Sequence, residues 1–331
     1  MSASADSAAT LEVSGLKTWF HTKAGIVKAV DDVSFDLARG EIMGLVGESG
    51  SGKSVTGFSI LGLVDEPGRI VDGSLLFKGR DLRRMPAEER RALRGAGIAA
   101  IFQDPLMTLN PVLRIETQMV ETIRAHGEVT KAEAKRRAIA ACERVGIPAA
   151  AERLGSYPHE FSGGMRQRIC IAIALLNDPE LIIADEPTTA LDVTIQAQIL
   201  HEMRGLCAES GTSLIWITHD LSVVAGLADK ICVMYAGRIV ERGSVDEVLD
   251  RPLHPYTRGL IRSLPARSKR GGELYQIPGM TPSLLGIGEG CAFRERCPRS
   301  DEACRVSPPE REAGAGRSYR CFHPHEGEAL E

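Results

Sequence analysis

The stretch Gly47-Glu-Ser-Gly-Ser-Gly-Lys-Ser54 decides the fold of this chain. It satisfies the pattern G-x-x-x-x-G-K-[ST], and it joins an apolar run at 41–46, which reads as a buried strand, to a predicted helix from Gly52 onward. Glycines allow backbone conformations that point several N–H groups at one anion, and the helix adds the positive end of its dipole. The stretch therefore predicts a phosphate-binding loop in an α/β fold.

The polar side chains of this loop indicate what it binds. Lys53 supplies a point charge for the β- and γ-phosphates of a nucleotide, and the Ser54 hydroxyl is small enough to coordinate Mg²⁺. A chance glycine-rich turn before a helix is the alternative, and the strand–loop–helix context disfavours it. The residues predicted to hold the nucleotide are Gly47, Ser49, Gly50, Gly52, Lys53 and Ser54.

Two further patterns follow along the chain. Leu181–Ala184 reads as a buried strand, and Asp185 and Glu186 emerge at its carboxyl end, where open α/β sheets bind ligands. Asp185 would hold Mg²⁺ and Glu186 would orient and deprotonate the attacking water. Farther upstream, in Phe161-Ser-Gly-Gly-Met-Arg-Gln-Arg168, Ser162 is a plausible N-cap, and Gly163 and Gly164 leave first-turn N–H groups open to an anion. An ordinary helix start would read much the same.

The hydrophobic pattern changes along the chain. Strand-like runs at 11–20 and 28–37 alternate polar and apolar residues, which predicts an antiparallel pair. From 104 to 161 there is no strand pattern, and Thr130 to Val145 reads as a helix with a capping box formed by Thr130 and Glu133. A further strand-like segment occurs at 74–78. Strand–helix alternation resumes at Leu181 and indicates a parallel sheet, and 230–240 reads as a closing hairpin that turns at Ala236 and Gly237.

These patterns predict an α/β fold: a P-loop NTPase (RecA-like) core with an antiparallel β subdomain, an α-helical insertion and a small cysteine-containing C-terminal module. The predicted domains are 1–250, a nucleotide-binding domain whose helical subdomain spans about 104–161, and 251–331, a C-terminal extension. The boundary falls where proline and glycine rise and periodicity fades.

Composition excludes several classes of protein. Of 331 residues, 43% are hydrophobic and 25% are charged, a balance that excludes a wholly disordered chain. The net charge of −4 does not produce the positive electrostatic field that attracts nucleic acid. No run approaches the roughly 18 apolar residues of a membrane-spanning helix. The N-terminus lacks the basic and apolar regions of a signal peptide, so we expect a cytoplasmic location.

The order of the motifs resembles that of an ABC transporter ATPase subunit, over about residues 10 to 250. The resemblance identifies Phe161–Met165 as the signature motif, Gln103 as the Q-loop, Ala190-Leu191-Asp192 as the D-loop and His219 as the switch histidine. Phe161 and Met165 depart from the commonest form of the signature, whereas its serine and both glycines remain.

The resemblance implies the roles of individual residues. Glu186, His219, Gln103 and Lys53 would be catalytic, and Ser54, Gln103 and Asp185 would bind Mg²⁺. Stacking on a base tolerates many geometries, and we expect Phe20 rather than Trp19 to stack on adenine; the alternative is that both are ordinary core residues. In this family the signature of one subunit meets the γ-phosphate held by the other subunit. Ser162, Gly163, Gly164 and Asp192 would therefore act on a partner's ATP, and two subunits would clamp two ATP molecules.

A narrower resemblance links the chain to the ATPase subunits of dipeptide and oligopeptide importers. It rests on Phe102–Pro111, on Phe161–Arg168 and on His254–Pro265 (HPYTRGLIRSLP). It implies a second, related ATPase chain, two membrane permease subunits and, indirectly, an extracytoplasmic peptide-binding protein. This chain itself would lie on the cytoplasmic face of the membrane. The alternatives are import of a metal chelate or glycoside, or a DNA-repair ABC ATPase, against which the short insertion and the negative charge argue.

Four cysteines close to the C-terminus form the last pattern: Cys291, Cys297, Cys304 and Cys321. Four thiolates suit either Zn²⁺ or an iron–sulfur cluster, and their spacing matches neither a zinc knuckle nor a ferredoxin. The family resemblance favours a [4Fe–4S] cluster, with structural zinc as the alternative, in which His323 or His325 could replace a ligand. The other four cysteines read as small core residues.

Overall fold

A computed structural model describes residues 9–189, 191–265 and 275–326. Residues 1–8, in which the sequence predicts no signal peptide, lie outside the described residues. Ala190 of the predicted D-loop and residues 327–331 of the predicted C-terminal extension also lie outside them.

The strands agree with the alternating and apolar runs of the sequence. They are β1 (Leu11–Thr22), β2 (Gly25–Leu37), β3 (Ile42–Val46), β4 (Gly68–Phe77), β5 (Arg80–Asp81), β6 (Ile98–Ile101), β7 (Leu181–Asp185), β8 (Ser213–Thr218), β9 (Lys230–Tyr235), β10 (Arg238–Ser244), β11 (Arg311–Glu312) and β12 (Ser318–Tyr319).

The helices follow the same order along the chain. They are α1 (Lys53–Leu61), α2 (Ala87–Leu93), α3 (Pro105–Thr108), α4 (Ile115–Arg124), α5 (Lys131–Arg144), α6 (Ala150–Arg153), α7 (Gly163–Leu175), α8 (Val193–Ser210), α9 (Leu221–Leu227), α10 (Val245–Asp250) and α11 (Pro255–Arg262).

The chain forms two compact units. The first, here called the insertion unit, consists mainly of Arg84–Ile215. The second, the phosphate-loop unit, contains Leu11–Leu37, Ile42–Arg83 and the residues from Trp216 onward. The chain therefore enters the second unit three times, and it passes from the first to the second within β8.

The phosphate-loop unit contains the antiparallel sheet that the sequence predicts. Its strands lie in the order β2-β1-β4-β5, and Leu11 of β1 is paired with both Leu37 and Phe77. Leu11 and Val13 are buried whereas Glu12 between them is exposed, because successive side chains of a strand point to opposite faces. This alternation is the signal that predicted the pair of strands.

A second group of strands in the same unit carries the phosphate-binding loop. They lie in the order β11-β12-β10-β9-β3, and β3 pairs in parallel with β9. The hairpin between β9 and β10 turns at Ala236 and Gly237, both with positive φ, which is the geometry of a two-residue turn. Because β12 pairs with β10, the C-terminal segment extends this group of strands.

The insertion unit contains the helices predicted between 104 and 161. Helix α4 packs against α5, and α5 packs against α7. The Thr130 hydroxyl accepts a hydrogen bond from the Glu133 N–H at 3.2 Å and so caps α5. A complete capping box would also have the Glu133 carboxylate accept a hydrogen bond from the Thr130 N–H. In the described part of the chain this carboxylate pairs with Arg136 and Arg137 instead. In the same unit β6 and β7 are parallel neighbours, as the strand–helix alternation predicts.

Candidate active site

The phosphate-binding loop connects β3 to α1, and its lysine is held by the loop itself. Lys53 is only 4% exposed, and its Nζ donates hydrogen bonds to the carbonyl oxygens of Gly47 at 2.8 Å and Glu48 at 2.9 Å. A buried ammonium group needs such acceptors to offset its desolvation. The loop therefore places a positive charge at the start of α1.

Two glycines of the loop are required by close contacts within the phosphate-loop unit. A Cβ on Gly47 would lie 2.1 Å from the Met234 carbonyl oxygen, and one on Gly52 would lie 2.2 Å from that of Ala29. Both residues also have positive φ, at 155° and 104°. The third, Gly50, has a φ of 77° and no described heavy atom within 4 Å of a Cβ placed there, so its surroundings leave space for a ligand.

The loop fits a nucleotide phosphate group. Ser49 and Gly50 are exposed at its tip, and Ser54 is half-buried in the first turn of α1. The Ser51 hydroxyl is fully buried and has no hydrogen-bond partner in the described part of the chain. Backbone N–H groups, a helix N-terminus and one lysine form the arrangement that binds anions. The residues from Gly47 to Ser54 are thus suited to a triphosphate and to one Mg²⁺ ligand.

The insertion unit brings together the predicted carboxylates and the predicted Q-loop residue. Asp185 is the last residue of β7, and Glu186 follows it with a φ of 45°, a conformation that non-glycine residues rarely adopt. The Glu186 Oε2 atom accepts hydrogen bonds from Gln103 Nε2 at 3.4 Å and from Thr189 Oγ1 at 3.1 Å. Backbone strain of this kind clusters at functional sites, so it supports the catalytic role predicted for Glu186.

The signature and D-loop residues lie at the starts of two helices. Ser162 caps α7 by accepting from the Met165 N–H at 3.4 Å, and Asp192 caps α8 by accepting from the Ile195 N–H at 3.0 Å. Gly163 is exposed, and a Cβ on Gly164 would come within 2.9 Å of the Ile195 side chain. Capping and packing thus account for part of this pattern, and the contacts of these residues with a partner's ATP stay a prediction.

His219 and Phe20 have different surroundings. His219 directly follows β8 and is exposed, which excludes an ordinary buried core histidine. Phe20 lies on β1 and lines an apolar depression with Val55, Phe58 and Leu63. The switch role of His219 and the stacking of Phe20 on adenine stay predictions.

A second set of contacts to the loop was missed at the level of sequence. Glu48 occupies a position that the loop motif leaves free, yet both of its carboxylate oxygens accept hydrogen bonds from Arg296, more than 240 positions away. Its N–H donates to the hydroxyl of Tyr256, which belongs to the H-P-Y sequence. Only the glutamate itself, an acid inside an anion-binding loop, could have hinted that a basic partner exists.

The four C-terminal cysteines have free thiols. Burial raises the pKa of the Cys291 and Cys297 thiols, and it raises the pKa of Cys321 to about 12. Within the described ranges, the potential ligand atoms that lie within 4.8 Å of one another belong to Asp301, Cys304 and His323, rather than to four cysteines.

Comparisons with known proteins agree with the motifs. A family model described as ABC transporter matches residues 30–189, and one described as oligopeptide/dipeptide transporter, C-terminal region, matches residues 240–304. The chain is 48% identical over 316 residues to the oligopeptide transport ATP-binding protein OppD of Salmonella typhimurium, a match that covers 96% of this chain and 94% of that protein.

This chain belongs to the ABC transporter family. Within it, the chain is also 52% identical to the dipeptide transport ATP-binding protein DppD of Lactococcus lactis, over 86% of this chain and 82% of that protein. It is 46% identical to the oligopeptide transport ATP-binding protein AppD of Bacillus subtilis, over 94% of this chain and 96% of that protein. The predicted family is therefore confirmed, and with it the prediction of an ATPase cassette coupled to transport.

Solved structures show the same fold. The dimeric, post-hydrolysis ATP-binding cassette MJ0796 bound to ADP and Pi aligns with a TM-score of 0.64 at 24% identity, over 71% of this chain and 98% of that one. The cbiO1 protein of Clostridium perfringens, part of the ABC transporter complex cbiONQ, aligns with a TM-score of 0.62 at 26% identity, over 72% and 90%. The predicted P-loop NTPase fold is confirmed. None of the described helices is long and apolar enough to cross a membrane.

The prediction of a [4Fe–4S] cluster is wrong. The relatives that match nearly the whole chain are described by peptide transport and ATP binding, not by an iron–sulfur group. The geometry of the described residues agrees with this correction, because the group of potential ligand atoms within 4.8 Å of one another contains Cys304 beside Asp301 and His323, and not the four thiols. The comparisons give no support for zinc either.

Proposed function

We propose that this chain hydrolyses ATP to power the uptake of short peptides through a membrane permease. Two observations support the peptide substrate: the C-terminal residues 240–304 match the oligopeptide/dipeptide transporter region, and relatives named as peptide-transport proteins match along nearly the whole chain. The observation that carries the ATP-dependent step is the loop in which Lys53 is held by the carbonyls of Gly47 and Glu48.

In the proposed mechanism, the loop binds the triphosphate and Lys53 supports the β- and γ-phosphates. Glu186 would orient the attacking water and accept its proton, and Gln103, which donates a hydrogen bond to the same carboxylate, would fix the orientation of that carboxylate. Mg²⁺, when bound, neutralises phosphate charge; Ser54, Gln103 and Asp185 are its proposed ligands from their motifs. His219 would stabilise charge that develops on the γ-phosphate.

The proposal includes dimerisation, because one chain carries one loop and one signature. Ser162, Gly163, Gly164 and Asp192 would complete the ATP site of a second, related ATPase subunit, so that ATP binding favours the closed dimer. The other proposed partners are two permease subunits and, indirectly, an extracytoplasmic peptide-binding protein. The chain would then work at the cytoplasmic face of the membrane, with the helical insertion passing closure to the permease.

Reconstitution of the chain in vesicles with its permease, its second ATPase subunit and the peptide-binding protein tests the substrate. We expect ATP-dependent uptake of a labelled tripeptide that is lost in Lys53→Ala, and no uptake of a labelled glycoside or iron chelate. Uptake of the glycoside or chelate instead of the peptide would assign a different cargo. ATP hydrolysis by a strictly monomeric preparation at the full rate would contradict the shared site.

A further inference from the structure

The second residue of the phosphate loop is bound by the C-terminal segment of the same unit. Arg296 Nη1 donates to Glu48 Oε2 at 2.6 Å and Nη2 donates to Oε1 at 3.0 Å, so the guanidinium meets the carboxylate as a two-bond fork. Thr281 Oγ1 also donates to Oε2, at 3.2 Å. The carboxylate therefore has a fixed position.

The backbone of the same residue is fixed from another direction. The Glu48 N–H donates to the Tyr256 hydroxyl oxygen at 2.9 Å, and Tyr256 is fully buried. The rings of Tyr235 and Phe293 lie 4.5 and 5.4 Å from that of Tyr256, which packs it on two sides. Burial raises the pKa of Tyr256, so its hydroxyl stays neutral at physiological pH.

The ion pair joins a buried arginine to a half-buried glutamate. The Arg296 side chain is 6% exposed and that of Glu48 is 28% exposed. Although partial burial opposes its charged form, Glu48 has a pKa below its ordinary value because of the hydrogen bonds and charge of Arg296. A buried cation that loses its partner is strongly unfavourable, so the two side chains hold each other in place.

This contact reaches the lysine of the loop. The Glu48 carbonyl that accepts from Lys53 Nζ belongs to the residue whose N–H and carboxylate are held by Tyr256 and Arg296. A shift of Glu48 would therefore move an acceptor that directs Lys53.

The segment that supplies these groups is itself firmly attached. Glu241 of β10 is fully buried; its carboxylate accepts from the N–H groups of Leu253 and His254 at 2.8 Å each, and from Arg317 at 3.3 Å. Arg320 donates to the Asp32 carboxylate of β2 at 2.8 Å. These bonds attach the chain before and after Arg296 to β10 and β2 of the same unit.

We propose that Arg296 and Tyr256 are positioning residues for the phosphate loop: through Glu48 they fix the carbonyls that direct Lys53, so nucleotide affinity depends on the C-terminal segment. The proposal rests on the ATP-binding role of the loop. It gives the H-P-Y sequence and the following segment a task in the ATP site, in addition to any contact with the transport machinery.

A double-mutant cycle on the full chain tests this, with Glu48→Gln, Arg296→Gln and the double variant. The dissociation constant for Mg-ADP is measured together with thermal unfolding, at a temperature where every variant is folded. We expect each single variant to bind roughly tenfold more weakly and the double variant to bind no worse than Arg296→Gln, because both singles break one contact. Arg296→Lys, which keeps the charge but loses the fork, should recover part of the affinity.

The exposed pair Glu302 and Arg305 provides a matched control, since the same residue types pair in the same segment at 70% exposure or more. Glu302→Gln and Arg305→Gln should leave affinity unchanged. Should Arg296→Gln fail to fold, Tyr256→Phe keeps the buried ring, removes only the hydroxyl, and should still weaken binding several-fold.

The outcomes separate this proposal from the ATP-binding role on which it depends. If the wild-type chain binds no Mg-ADP, or if Lys53→Ala binds as well as wild type, the nucleotide role of the loop is wrong. If wild type binds and Lys53→Ala does not, but folded Arg296→Gln and Tyr256→Phe bind like wild type, only the positioning role is overturned. If these variants lost thermal stability but kept the wild-type affinity for Mg-ADP, the contacts of Glu48 with Arg296 and Tyr256 would stabilise the fold without positioning the loop, and the proposal would likewise be wrong.

Discussion

The phosphate loop and the cysteine segment lie in the same unit but are built in different ways. The loop consists of eight consecutive residues, and the groups that would meet a phosphate, namely glycines with positive φ and a lysine bonded to neighbouring carbonyls, all lie within it. The cysteines are spread from Cys291 to Cys321, and their surroundings are set by segments remote in sequence.

The difference shows which sites are fixed locally. Gly47 and Gly52 adopt backbone conformations that other residues rarely reach, so their order with Lys53 identifies the phosphate loop directly from the sequence. In the cysteine segment, burial raises the pKa of the Cys321 thiol, and Cys304 lies beside Asp301 and His323; cysteine spacing encodes neither feature. The following predictions test this contrast between the nucleotide motifs and the cysteine segment, from the largest expected effect to the smallest.

Substitution Glu186→Gln should have the largest effect. The amide keeps the size of the side chain and loses the ability to accept a proton, so we expect turnover to fall by about 10²–10⁴-fold while nucleotide binding is retained. The measurement is steady-state phosphate release together with Mg-ATP affinity and dimer formation. Glu209→Gln, on the exposed face of α8, is the control. Normal turnover in Glu186→Gln would remove this residue from its proposed role.

Substitution Gly47→Ala should destabilise the phosphate-loop unit. Its methyl group would overlap the Met234 carbonyl in a backbone conformation that suits glycine, so we expect a loss of about 2–4 kcal/mol in the free energy of unfolding. Gly226→Ala, at a site in α9 with no described atom within 4 Å of the new methyl, should cause no loss. Equal stability of the two variants would show that the loop tolerates side chains and is less locally determined than proposed.

The stability contributed by His254 should depend on pH. Burial, and to a lesser extent the charge of His325, lowers its pKa to about 3, so the imidazole stays neutral in the folded chain while the unfolded chain takes up a proton below about pH 6.5. This contribution is present above pH 6.5 and is lost as the pH falls towards 3.

The variant His254→Asn isolates this effect, because Asn offers an acceptor for the Tyr256 N–H that His254 Nδ1 now binds at 3.0 Å. Between pH 7 and pH 5 the stability advantage of wild type over the variant should shrink by about 2 kcal/mol. Glu241 and His325 are unchanged in the variant, so the two proteins differ only in the side chain at position 254. A difference that is independent of pH would contradict a buried neutral histidine.

Substitution Cys321→Ser should have the smallest effect. The thiol is buried and accepts a hydrogen bond from the His323 N–H at 3.3 Å, so a hydroxyl should cost about 1 kcal/mol through poorer packing. Urea unfolding measures it, with the half-buried Cys297→Ser for comparison. If Cys321→Ser lowered the free energy of unfolding as much as Gly47→Ala does, the fold would require this thiol as strictly as it requires the loop glycine. The contrast between the two regions would then be wrong.

Several elements could be predicted because the information is local. The alternation from Leu11 onward predicted β1 and β2, Thr130 marked the start of α5, and the turn at Ala236 and Gly237 marked the β9–β10 hairpin. The extent of β4 could not be predicted in the same way: the sequence indicated a strand at 74–78, whereas the strand spans Gly68–Phe77, because pairing with β1 lengthens it.

The sequence by itself determined the family, the phosphate loop and the carboxylates after β7, because each depends on residues that are close together along the chain and whose backbone geometry is restricted. Only the tertiary structure decided that Glu48 contacts Arg296 and Tyr256. Each of these two residues lies more than 200 positions from Glu48, and no local sequence rule relates them to it. The same reason explains the cysteines. Whether a thiol is buried and protonated depends on the residues that the folded chain packs around it, and the spacing of four cysteines does not predict those residues.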